Sequence, residues 1–220
     1  MTINSIINNS CIKRSSSISL VAIFLIIVLL PNKLIAQNDT LKNTSNFGVK
    51  IRVGGRFDDV RMCVASPAGS KGGPVADISF FMEFGVANNM VAHVDIPVFR
   101  PILFATSFKM LQFEPSVTFK YRKITNGNVD FVVGPTLGIL LHYGPDYKSE
   151  SKGDNRTDSF FAMGPILGGY FGLEFKRPNK ANNFELGISP YVTPLFGIND
   201  PSNHKGVVIG GLLDFSFSFN

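Results

Sequence analysis

From residue 206 to Asn220 the chain reads GVVIGGLLDFSFSFN, and every second position from Val207 is apolar or glycine: Val207, Ile209, Gly211, Leu213, Phe215, Phe217 and Phe219. The intervening set turns polar through Asp214, Ser216 and Ser218. A period of two over this length describes a β-strand with two unlike faces. In water, such a strand with an unpaired edge is an aggregation hazard. The conflict disappears if one face meets lipid and the edge pairs with another strand of the same sheet. A closed β-barrel crossing a membrane meets both conditions, because it leaves no backbone edge in hydrocarbon.

The same alternation recurs upstream. It predicts strands over residues 47–57, 77–87, 90–98, 111–122, 129–143, 159–176 and 184–196, which with the last stretch make eight. The even count and the alternation together predict an all-β fold, an eight-stranded antiparallel up-and-down transmembrane β-barrel over residues 47–220. Turn-rich or charged stretches at 58–75, 144–158 and 197–205, and a more apolar one at 100–110, predict long connections after the odd strands. Asn88-Asn89, residues 125–128 and RPNKANN predict short ones after the even strands. No useful helix is expected in residues 37–220. Aromatics fall at both ends of the strands, Phe47, Phe84, Phe119, Tyr121, Phe131, Phe175, Phe184, Phe217 and Phe219 at one and Phe57, Phe80, Phe113, Tyr143, Phe161 and Phe196 at the other. Two such rings flanking an apolar band are the girdles of a membrane barrel. Pro115, Pro135, Pro165, Pro190 and Pro194 fall inside predicted strands. Each removes a ladder donor, so a recurring β-bulge is expected at them, most plainly in the paired GPTLG and GPILG segments.

Phenylalanine and glycine stand at 21 each, tryptophan is absent, and charged residues reach only 17%. Soluble domains carry roughly a quarter, so the balance favours extended, membrane-facing structure. Residues 1–36 are expected to be a secretory signal peptide: Lys13 and Arg14 precede an apolar run from Leu20 to Leu30, and Ala36-Gln37 follows. That run is shorter than the ~20 residues a spanning helix needs, which argues against an uncleaved anchor. Residues 37–46 form a polar lead-in. Without Lys13, Arg14 and Lys33 the formal charge falls from +5 to +2, and no basic block remains to engage nucleic acid. Cys63 would be left without a partner for an internal disulfide.

With the signal peptide ending Ala36-Gln37, the FGVKIRVGG opening, the Gly-Pro strands and the DFSFSFN ending, the chain resembles the outer-membrane β-barrel family often labelled PorT-like, and more loosely the OmpA/OmpX-type small barrels. The resemblance covers residues 37–220. It implies a Gram-negative-type cell outer membrane, contact with outer-membrane lipid, and recognition of the last strand (Phe215, Phe217 and Phe219) by the outer-membrane insertion machinery. Members include secretion-associated barrels, so an extracellular or secretion-associated protein partner is a further expectation. No catalytic motif or cofactor comes with it.

Strand parity turns a set of charges inward: Lys50, Arg52, Arg56, Lys120, Arg122 and Lys176 against Glu83, Asp95, Glu114, Asp130, Glu174, Glu185 and Asp214. The bore of an eight-stranded barrel is just wide enough for its own side chains to fill. A lone buried charge costs several kcal/mol, so the near balance of signs predicts an ion-pair network that closes the lumen. A narrow ion or small-solute path is the alternative. Enzyme chemistry is not expected. A lipid-modifying barrel would need Ser, His and an acid in reach of one another. His142 has only Ser149, Glu150 and Ser151 of a long polar loop for company, and His93 beside Asp95 reads as a lumen residue. Asp146, Glu150, Asp154 and Asp158 are interleaved with Lys148, Lys152 and Arg156 and lack the calcium-loop pattern. No metal is expected.

Overall fold

The computed structural model describes residues 45–59, 71–107, 110–123, 125, 127–145, 159–176, 182–198 and 205–219. The strands are β1 (Asn46–Asp58), β2 (Gly72–Ala87), β3 (Met90–Pro97), β4 (Leu111–Phe113), β5 (Ser116–Lys123), β6 (Val129–Pro145), β7 (Ser159–Phe175), β8 (Asn183–Ile198) and β9 (Lys205–Phe219). One helix, α1 (Phe99–Ser107), lies between β3 and β4. Each strand pairs antiparallel with its neighbours, β1 also pairs with β9, and β6 bonds both β5 and β7. Segments β4 and β5 occupy one position in the ring. Phe113 faces Leu141 and Ser116 faces Gly138, so the register along β6 runs unbroken through Pro115. The result is a closed ring of eight strands. The expected signal peptide (1–36) lies outside the described residues. Of the expected lead-in, Asn46 already belongs to β1, opposite Glu83.

Side chains alternate as the period of two requires. On the outside stand Phe47, Ile51, Val53 and Phe57 of β1, Ile78, Phe80, Met82 and Phe84 of β2, and Leu167 and Phe171 of β7, all exposed. Inside, Lys50, Arg52, Arg56, Ser79 and Glu83 are buried. The fold is thus inverted relative to a water-soluble domain, whose charged groups are rarely buried. Part of the bore is nonetheless apolar: Val75, Leu140, Phe160, Ile166, Leu195, Val208 and Leu212 form one buried cluster. Val75 of this cluster falls in the connection predicted at 58–75, which β2 takes up from Gly72.

The expected bulges are absent. Along β7 and β8 no pairing joins the stretch between Met163↔Phe196 and Leu167↔Val192, where Pro165 and Pro194 sit, yet the register resumes unchanged on the far side. The same lapse without slippage occurs between Thr118↔Thr136 and Tyr121↔Val133, around Pro135. A bulge needs an extra residue on one strand; here each proline forfeits its bond and inserts nothing. Inward-facing glycines accommodate the distortion. A Cβ on Gly164 would lie 1.9 Å from the Pro194 carbonyl oxygen, and one on Gly134 2.0 Å from that of Phe119. Among the described residues a register shift occurs only where β2 turns into β3, between Gly85 and Ala87. There Asn89 takes a positive φ of 62° in the tight hairpin, a conformation that asparagine tolerates better than most residues.

Connections at 59–71, 98–110 and 146–158 are long, and those at 88–89 and 124–128 are short. The last pair departs from expectation, since 199–204 is no longer than 176–182. Strand β8 runs on to Ile198 and β9 starts at Lys205, which shortens the loop expected at 197–205.

The ring wall has one step. β2 begins at Gly72, well before the predicted 77, and pairs with β1 from the outset through Phe57↔Gly72. β3, by contrast, ends at Pro97 opposite Ser79. Beyond that level β2 and β4 have lost the strand that stood between them. There α1 packs against both, contrary to the expectation that the mature chain holds no useful helix.

Candidate functional site: the charged bore

At the end of the barrel where Phe47 meets Phe219, a cluster gathers around Glu83. Its Oε1 accepts from Lys120 Nζ at 3.3 Å and lies 2.8 Å from His93 Nδ1, while Oε2 accepts from Arg122 Nη2 at 2.7 Å. Lys120 also reaches Glu185 at 2.5 Å, and Arg122 Nε lies 2.8 Å from Glu174. Glu174 accepts in turn from Asn183 Nδ2 at 3.0 Å. Strand parity aims all these side chains inward, and the register of β2, β3, β5, β7 and β8 puts them at one level.

Midway along the bore, Asp95 takes Lys50 at 2.6 Å and Arg52 at 2.7 Å. His93 Nε2 stands 3.3 Å from the same carboxylate, so this imidazole lies between Asp95 and Glu83. Asp214 completes the layer with a hydrogen bond from the Ser189 hydroxyl and Arg52 Nε at 3.9 Å. The ring of Tyr170 stands between Lys120 Nζ, 4.8 Å from its centroid, and Lys50 Nζ at 5.9 Å. Such cation–π contacts are worth ~2 kcal/mol when desolvated. Gly172 and Gly187 make room for that ring, since a Cβ on Gly187 would lie 2.2 Å from the Tyr170 hydroxyl oxygen.

Nearer the helix, Glu114 receives Arg56 Nη1 at 2.9 Å and Arg100 Nη2 at 2.6 Å, with His142 Nε2 at 3.3 Å. Arg56 also binds Asp58 at 3.0 Å. Asp77 Oδ1 accepts the backbone N–H of Arg100 at 3.0 Å and that of Ile78 at 2.8 Å. This carboxylate therefore caps the first turn of α1, the place where an anionic acceptor is most favourable.

Of the residues singled out from sequence, Lys50, Arg52, Arg56, Glu83, Asp95, Glu114, Lys120, Arg122, Glu174, Glu185 and Asp214 are buried or nearly so and linked into these three groups. Lys176, 40% exposed, pairs with Asp130, a buried carboxylate that stands opposite Glu174 across β6 and β7. Phe215, Phe217 and Phe219 lie on the outer face of β9, opposite Ile51, Val49 and Phe47 of β1. Asp58, Asp77 and Arg100 are members that sequence reading missed. Asp58 and Asp77 fall outside the predicted network, and Arg100 falls in a predicted connection. Continuing the inward parity of β1 and β2 would have found the two aspartates. Nothing local to Arg100 marks it. His93 and His142 both face carboxylates. Ser149, Glu150 and Ser151, and the acids of the 146–158 loop, lie outside the described residues.

The fold has a counterpart among solved structures. It is similar to Neisserial surface protein A. NspA matches this chain with a TM-score of 0.50 and 12% sequence identity, over 80% of this chain and 98% of NspA. An identity this low speaks to the fold alone. No protein-family model matches the chain, and no curated protein matches it in sequence.

Within this NspA-like ring the bore is tightly filled. One cavity of about 30 Å³ opens between Arg52, Asp95, Thr118 and Ser189, and one of about 10 Å³ beside Glu83, Lys120 and Glu185. A polar cavity needs only ~10–15 Å³ of such volume to hold one water, so both have room for water among the paired charges.

Proposed function

We propose that this chain is an outer-membrane β-barrel protein, exported by its N-terminal signal peptide and inserted through its last strand. Its bore is closed by its own side chains, and its task is a structural or interaction role carried by the connections at the α1 end. The observation that carries this reading is the inversion of the fold: exposed Phe, Ile, Leu and Val around the whole outside, with buried Lys, Arg, Asp and Glu within. In water that exterior would aggregate, because exposed apolar patches beyond a few hundred Å² are rare on soluble monomers. In a bilayer it is the surface the solvent demands. The shared fold of NspA, a protein named for the surface, supports the same setting. The resemblance to PorT-like barrels adds a secretion-associated protein as the kind of partner to look for. We read the chain as neither an enzyme nor a cofactor carrier.

The rival reading is a narrow ion or small-solute channel. The small cavities and paired charges favour the closed form. The deciding experiment is conductance of the purified protein in planar bilayers, after carbonate-resistant membrane association and a heat-dependent gel shift have shown an inserted barrel. Near-baseline current is expected. Steady single-channel steps would replace the closed reading by the channel, and recovery in the soluble fraction would remove the membrane reading altogether.

A further inference from the structure

The step in the wall leaves a helix where a strand would otherwise face outward, and the surface of that helix is unusual. Its sequence, FRPILFATS, holds a single charged residue, Arg100, and that side chain is buried against Glu114 and Asp77. Phe104, four residues on, is buried as well. Residues three and four apart share a helix face, so Arg100 and Phe104 define the inner side. The other side shows Phe99 (45% exposed), Ile102 (63%) and Leu103 (37%). Thr106 falls on this outer side too, but its hydroxyl donates back to the carbonyls of Ile102 and Leu103, at 2.8 and 3.2 Å, and so is occupied within the helix. A helix at a watery mouth ordinarily turns charged residues outward. This one turns out none.

From the register of the neighbouring strands, we infer that the outer face of α1, formed by Phe99, Ile102, Leu103 and Thr106, is a lipid-contacting part of the barrel wall at the bilayer boundary. Continuity with the apolar exterior supports it. Phe80 and Ile96 face each other across β2 and β3, both exposed. One step on, Val98 donates its N–H to the Ile78 carbonyl at 2.9 Å, and the next residue is Phe99. The apolar band thus passes from β2 and β3 directly onto the helix. The level fits as well: α1 starts beside Asp77 of β2, and the Phe104 carbonyl accepts the N–H of Met110 at 3.1 Å, one residue before Leu111 pairs with Tyr143. Phe57 and Tyr143 are exposed aromatics of the girdle at this end. Open strand edges are not tolerated in hydrocarbon, so a break in the ladder belongs at the boundary. Asp77, holding both the first turn and the side chain of Arg100, fixes which face of the helix looks outward.

The inference rests on the membrane reading above, and its test separates the two. In a background carrying Cys11→Ser and Cys63→Ser, single variants Ile102→Cys, Phe99→Cys, Leu167→Cys and Asn88→Cys are labelled with an environment-sensitive fluorophore. The full-length protein is reconstituted in phosphatidylcholine vesicles, with the heat-dependent gel shift as the check of folding. The labels at Ile102 and Phe99 are expected to emit blue-shifted light and lose intensity to a nitroxide near the lipid headgroup, with little loss to iodide. Leu167, halfway along β7, should respond to a nitroxide deep in the chains, and Asn88 to iodide. Iodide quenching at Ile102 and Phe99 with Leu167 protected overturns the inference and leaves the barrel reading standing. Labels shielded from both iodide and lipid nitroxide would mean that a protein chain covers the helix, which also overturns it. Iodide quenching at Leu167 as well would remove both readings.

Discussion

Glu114 holds two arginines from different elements, Arg56 of β1 and Arg100 of α1, with His142 of β6 alongside. Replacing it by alanine takes one carboxylate from each of two buried guanidinium groups and leaves Arg56 with Asp58 and Arg100 with Asp77 among the acids described. Removing one partner from a buried ion pair typically costs ~3–5 kcal/mol, and Glu114→Ala is expected to fall in that range, read as a lower urea midpoint for loss of the folded gel band in vesicles. Glu83→Ala, which releases Lys120 and Arg122, should behave alike. Lys176→Ala is the contrast: its side chain is 40% exposed, and its buried partner Asp130 keeps the Thr125 backbone N–H at 3.0 Å, so a smaller loss than at Glu114 is expected. Equal effects at all three sites would show that the bore charges do not act as a buried network. Strand parity made the inward identity of most of these residues legible in the sequence. Their partners were not, because partnership depends on register between strands far apart in the chain; Lys120 and Glu185 are 65 residues apart. Arg100 escaped for a related reason, since its place in the bore makes sense only beside Asp77, 23 residues earlier.

At the scale of the element, strands were the legible part and the helix was not. A period of two is a local signal and survives even where prolines interrupt the ladder. The start of α1 carries no local cap, and Pro101 discourages a helical reading. The capping oxygen comes from Asp77 on another strand, which no window around residues 99–107 contains. The bulges expected at the prolines failed for a different reason: the missing donor was visible, but the inward glycines that absorb the distortion were not recognised as its counterpart. Gly134→Val tests that role. Its Cβ would fall 2.0 Å from a backbone oxygen that cannot swing aside, so strands β5 and β6 must separate and the urea midpoint should drop clearly. Gly211→Ala, on the outer face of β9 with nothing within 4 Å of the added carbon, should leave the midpoint unchanged. A tolerated valine at 134 would show that the wall there has slack.

For the molecule as a whole, the apolar exterior makes a claim about solvent that one substitution can check. Leu137, Leu167 and Val192 lie side by side across β6, β7 and β8, all exposed. Leu167→Arg should cost ~2–4 kcal/mol of folding stability in vesicles if this band sits near the bilayer midplane. Phe57→Arg, at the girdle level, should cost ~1 kcal/mol or less. Equal penalties, or none, would count against a membrane-spanning belt. The inside-out pattern itself was readable from the sequence, as was the even number of ring positions. The packing that leaves the bore nearly solid was not, since volume is a sum over side chains from all the strands. The ring is sealed along one seam, where β1 lies against β9 and Phe47 meets Phe219. Nothing earlier in the chain can supply that partner, because the other edge of β1 is taken by β2. Neighbouring hairpins can form on nearby contacts as the chain emerges, but until β9 arrives they remain an open ribbon with two bare edges. Closure therefore waits on the last of the described strands, with the slow kinetics that long-range pairing imposes. A product cut short by one strand is an unsealed sheet rather than a smaller barrel.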